Sequence, residues 1–164
     1  MSNLRRIATC SLTAALRKNR YPELQHLHSP GDPLHVVEFY QDDSLIIESV
    51  ATLSAKALDA GDSVLLIATE SHLKEIERRI AASGFARSNR CMALDAHATL
   101  SRLMIDGCPD QTRFDVVIGG MVDAAYANST HGFVFAFGEM VALLCDAGNA
   151  DGALKLEQLW NGLV

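Results

Sequence analysis

The chain predicts an α/β domain of three layers, with a mostly parallel central sheet, flanking helices and two helices at the C-terminus. Three observations carry this. Short apolar runs alternate with helical stretches of roughly 10–18 residues, the pattern of strands joined by crossover helices. One run, Ser63–Ala68 (SVLLIA), is apolar at nearly every position, as a strand covered on both faces must be. The 164 residues suit a single domain with a substantial core.

The elements follow in order. Residues 1–32 form a leader and linker, and 33–164 the domain proper. In the leader, Leu4, Ala8, Leu12, Ala15 and Leu16 share one helical face, so an amphipathic helix is expected over 2–18. That helix is open to three roles: capping the domain, pairing with a partner or a second copy, or serving as a loosely ordered leader. Pro30, Gly31 and Pro33 then break any helix. His35–Tyr40 (HVVEFY) is β-branched and aromatic, hence a strand. Residues 43–60 place Leu45, Ile46, Val50, Leu53, Ala57 and Leu58 at helical spacing and stop at Gly61, a natural residue just past a helix end. Strand Ser63–Ala68 leads to a helix over 70–83, with Leu73, Ile76 and Ile80 inward, ending at Gly84. Cys91–Leu94 is a short strand, followed by a helix through Leu100, Leu103 and Met104. Asp115–Ile118 (DVVI) reads as a buried strand running into Gly119-Gly120, and Phe133–Phe137 as another. Glu139–Ala147 and Ala150–Leu163 are the closing helices, parted by Gly148-Asn149.

Composition excludes several classes. Apolar residues make up 49% and charged ones 21%, the balance of a folded domain rather than a disordered chain. A formal charge of −6 argues against direct nucleic-acid binding, which usually needs a basic face. No uncharged apolar stretch has the roughly 18–20 residues of a membrane span, and the N-terminus lacks the apolar core of a signal peptide. A soluble, cytoplasmic protein is expected. The four cysteines, at 10, 91, 108 and 145, show no CxxC spacing and read as reduced, structural thiols, Cys91 and Cys145 lying in apolar segments.

In a parallel sheet, ligands collect beyond the carboxyl ends of the strands. Those ends read Tyr40-Gln41-Asp42-Asp43, Thr69-Glu70-Ser71-His72, Asp95-Ala96-His97 and Gly119-Gly120. Each acid alone is an ordinary helix cap or first-turn carboxylate, and only their shared rim favours a site. GxxxxGK[ST], GxGxxG and GxSxG are all absent, and two aspartates follow the first strand where a phosphate loop would stand. His26 and His28, with His35 nearby, form an HxH pattern in a Pro-rich loop, which is more often incidental than a metal site. Asp95 and His97 have no nucleophile pattern beside them. No cofactor is implied.

Four strings, HVVEFYQDDSLI, GDSVLLIATESHLKEIERRI, LDAHATLSRLMIDGCPD and above all FGEMVALLCDAGNADGALKLEQLWNGLV, resemble the MEDS domain, a sensory domain named for methanogen and methylotroph proteins and a dichloromethane-dehalogenase repressor. The resemblance covers about residues 33–164. It implies a degenerate RecA/KaiC-like core that has lost its phosphate loop, with YQDDS in that loop's place, Glu70 where a catalytic glutamate would be, and Asp115–Gly119 as a degraded Walker B strand. It also implies sensing of a small hydrocarbon derivative, in company with a sensor histidine kinase or a DNA-binding regulator. The positions carried over are His35, Tyr40, Asp43, Glu70, Asp95, Gly138, Glu139, Glu157, Trp160 and Asn161, to which the rim adds His97. Glu157, Trp160 and Asn161 are expected to dock the last helix rather than touch a ligand. Phe135 stands where the family often carries a basic residue, which favours an apolar ligand or protein contact over an anion. The leading expectation is a non-catalytic module whose occupied rim shifts the C-terminal helices. The alternatives are a vestigial nucleotide hydrolase with Glu70 as base, and a pure interaction domain.

Overall fold

The computed structural model describes residues 8–14, 34–40, 42–85 and 88–163, the first two segments as backbone only. Five strands form one sheet in the order β2-β1-β7-β3-β4: β1 Ala8–Ala14, β2 Leu34–Tyr40, β3 Ser63–Ala68, β4 Cys91–Asp95 and β7 Val134–Gly138. β4, β3 and β7 are hydrogen-bonded in parallel. β1 runs antiparallel to both of its neighbours, so β2 points the same way as the parallel trio. A two-stranded ribbon, β5 Met104–Ile105 and β6 Cys108–Pro109, lies apart from the sheet.

Period-two alternation divides the core between the two faces of the sheet. Val64, Leu66 and Ala68 of β3, with Phe135 and Phe137 of β7, pack under α1 (Asp43–Asp59) and α2 (Glu70–Ile80). Leu65 and Ile67, with Val134 and Ala136, face the other way. They pack with α3 (Ala96–Leu103), α4 (Gln111–Phe114), α5 (Gly120–Asn128), α6 (Met140–Asp146) and α7 (Ala150–Asn161). All six residues of β3 are buried, as a strand roofed on both sides requires. This is the expected three-layer arrangement with two C-terminal helices.

α1 shows how sequence sets an element. Asp42 caps it, its carboxylate accepting from the Ser44 N–H at 2.9 Å. Ile46, Val50, Leu53, Ala57 and Leu58 then lie on the buried stripe, and Gly61 ends it at φ 83°, a backbone angle that glycine adopts without strain.

Three expectations are corrected. Ala8–Ala14 is a strand and not part of a helix over 2–18; the rest of that segment lies outside the described residues. Slotted between β2 and β7, its backbone gains partners on both edges, and pairing overrides a weak helical stripe. Asp115–Gly119 is a π-helical turn joining α4 to α5, not a buried or Walker B strand. Asp110 starts a helix upstream by accepting from the Arg113 N–H at 2.9 Å. Phe114, Val117, Ile118 and Ala125 then bury at helical spacing while Val116 is exposed. Gly119-Gly120 is therefore no strand end; the fourth rim position is Gly138-Glu139. Finally, Cys145 is exposed near the end of α6 rather than packed, and Cys91, Cys108 and Cys145 are all free thiols.

Candidate functional site

Strand order decides what meets at the carboxyl rim. β7 and β3 are neighbours, so Glu139, just past β7, stands beside Thr69 at the start of α2. Glu139 is buried, and its Oε2 accepts from the Thr69 N–H at 2.8 Å. Thr69 makes no side-chain cap of its own, so a carboxylate from a distant part of the chain caps α2 and sits at the positive end of its dipole. The other oxygen, Oε1, lies 2.5 Å from His72 Nδ1. On the far side of the ring, Nε2 is 3.5 Å from Oδ2 of Asp43 in the first turn of α1. The His72 side chain is 16% exposed, Glu139 3% and Asp43 68%, so the row runs from the core to the surface.

This carboxylate–imidazole–carboxylate row ties together the starts of α1 and α2 and the end of β7. The hydrogen bond that His72 donates to Glu139 raises its pKa above the ordinary value; burial opposes this, and the charges of Glu139 and Asp43 add to it. Each ring nitrogen faces a carboxylate, an arrangement that favours the protonated ring.

A second feature lies on the other side of α2. Glu70, Leu73, Lys74 and Glu77 recur at i, i+3, i+4 and i+7 and face Ala93 and Asp95 of the edge strand β4. Between them is a groove of about 420 Å³, open to solvent, with carboxylates and one ammonium around Leu73 and Ala93. Asp95 also caps α3, accepting from the Ala98 N–H at 2.7 Å.

The expected site residues therefore fall into groups. Asp43 and Glu139 meet through His72, whereas Glu70 and Asp95 share the groove. His97 is exposed in the first turn of α3 and lines neither feature. His35 and Tyr40 lie on β2 with their side chains outside the described residues, as are His26 and His28 altogether. Among the described residues no group of three His, Cys, Asp or Glu side chains could hold a metal ion. Trp160 is buried and meets Phe114 edge-on at 5.4 Å and 87°. Glu157 is half-buried and Asn161 exposed on the same helix. Phe135, expected to favour an apolar ligand or protein contact over an anion, is 1% exposed beneath α1 and α2, within the core.

His72 was the residue that sequence reasoning passed over in favour of Glu70. The signal was present: His72 lies four residues before Ile76 and eight before Ile80, on the stripe that α2 buries, whereas Glu70 is on the stripe that lines the groove.

Fold and site together define an α/β domain with an acidic turn after β2 and carboxylates along the carboxyl rim of its sheet. The family model described as the methanogen/methylotroph, DcmR sensory domain, MEDS, matches residues 34–164, and the chain belongs to that family of sensory domains. No curated protein and no solved structure matches the chain. Among the described residues no helix is long and apolar enough to cross a membrane.

Proposed function

We propose that this chain is a non-catalytic sensory module that takes a small organic molecule into the groove between α2 and β4 and passes the event to a signalling partner. The observation that carries this is the groove itself, which opens beside the carboxyl ends of β3 and β4 in a sensory-family domain. Three carboxylates against one ammonium disfavour an anion such as a triphosphate, while Leu73 and Ala93 offer apolar surface. A neutral or cationic hydrocarbon derivative fits both features. Binding there presses on α2, whose start is tied to β7 and α1 through Glu139 and His72, so occupancy shifts helix packing on both sheet faces. The reader of that shift is a sensor histidine kinase or a transcription regulator in the cytoplasm.

The test is an NMR titration with short alcohols, alkylamines and other small hydrocarbon derivatives. Saturable shifts at the amides of Glu70, Leu73, Ala93 and Asp95 are expected, and Leu73→Trp, which fills the groove, should abolish them. A full panel without such shifts, or shifts that survive Leu73→Trp, would overturn the reading.

A further inference from the structure

We infer that His72 is a proton-operated latch: as an imidazolium it holds the first turn of α1 to the buried Glu139, and loss of one proton releases α1. The geometry requires the cation for both links. An imidazolium donates from both nitrogens, whereas a neutral ring donates from one and presents a lone pair at the other. Nδ1 is committed to the buried Glu139 at 2.5 Å, so the neutral ring keeps its proton there. Nε2 then turns a lone pair toward the Asp43 carboxylate at 3.5 Å, and attraction becomes repulsion.

Among the described residues, the charges near the ring come from several elements. From α1 comes Asp43, and from the junction after β7 comes Glu139. β3 carries no charged residue, and neither does the π-helical turn Ala81–Phe85 after α2. Asp95 of β4 lies across the groove with Glu70 and Glu77, on the opposite side of α2 from Glu139. On α2 itself, Glu75 is engaged by Arg78 and Arg79. The positive end of the α2 dipole opposes protonation, and the two facing carboxylates outweigh it, in line with the raised His72 pKa. The asymmetry of burial gives the switch its direction. Glu139 is fixed in the core and bonded to Thr69, whereas Asp43 is mostly exposed and free to move into water, so α1 is the element that lets go.

The latch stands whether or not the groove takes a ligand. It is tested without one, so its failure would leave the groove reading untouched. The imidazole signals of His72 are followed by NMR against pH, together with amide-exchange protection at Ile47 and Glu48. The expected result is a His72 midpoint above 6.5 with α1 protection falling at that same midpoint. The fall should be about tenfold for each pH unit separating the latched from the unlatched midpoint. Asp43→Asn, at an exposed position that leaves the core intact, should lower the midpoint and remove the pH dependence of α1. A midpoint at or below 6.5, α1 protection that stays constant through the titration, or an Asp43→Asn variant that behaves as wild type would each overturn the latch.

Discussion

Glu139→Ala is expected to destabilise the protein by about 3 kcal/mol, because it removes one partner of a buried charge pair and leaves the other behind. For a domain of this size that corresponds to a fall in Tm of roughly 10 °C. Two contacts among the described residues are lost. The Thr69 N–H loses its acceptor at the start of α2, and His72 Nδ1 faces an empty space where a carboxylate stood. Glu139→Gln keeps an acceptor for Thr69 and gives up only the charge, so its cost should be about half as large. The pH dependence has a definite sign. Folding raises the His72 pKa, so the stability it contributes is complete below the unfolded value near 6.5 and fades as pH rises through the folded value. The deficit of Glu139→Ala should therefore be larger at pH 6 than at pH 9, measured by urea unfolding at both.

Trp160→Ala should cost about 4 kcal/mol, the usual range for emptying a large aromatic site in a core. Trp160 is 2% exposed and packs its ring against Phe114, between α7 and the segment that turns into α5. Its loss undocks the last helix from the face of the sheet that holds Leu65, Ile67 and Ala136. Trp160→Phe, which keeps most of the apolar area, should cost much less. It is the only tryptophan in the chain, so intrinsic fluorescence reports its burial directly, and unfolding of both variants can be followed by circular dichroism. A ligand-contact role would leave the unfolding midpoint of Trp160→Ala near wild type.

The parts of the fold that could be read in advance were those whose local pattern and tertiary setting agree. Ser63–Ala68 is apolar because both faces are covered, and Gly61 stops α1 because only a residue at ease with positive φ continues the chain there. Asp115–Ile118 misled because three apolar residues in a row fit a strand and a buried helical turn equally well; the deciding cap, Asp110, lies outside the run. Ala8–Ala14 misled for the opposite reason, since its partners are strands far away in sequence. In the site, Asp43, Glu70 and Asp95 were visible as acids after strand ends, whereas Glu139 entered only through the family resemblance. Their division into a latch and a groove was not, because it depends on β7 lying beside β3 and on which face of α2 each residue occupies. His72 was hidden by its neighbour Glu70, two residues away and on a different stripe of the helix.

The turn at Asp42–Leu45 is where the proposed sensory rim, one without a grip on phosphate, meets its most direct test. In a phosphate loop the first amides of the helix point at the nucleotide. Here the Asp42 carboxylate already takes the Ser44 N–H, and the bonds from Ser44 hold its pKa below the ordinary value, so a second anion meets an occupied donor and a fixed negative charge. Magnesium-ATP titrated to millimolar concentration, with the Ser44 and Leu45 amides followed by NMR, measures this directly. Both signals are expected to stay where they are; a saturable shift at those two amides would show a phosphate grip and overturn the proposal.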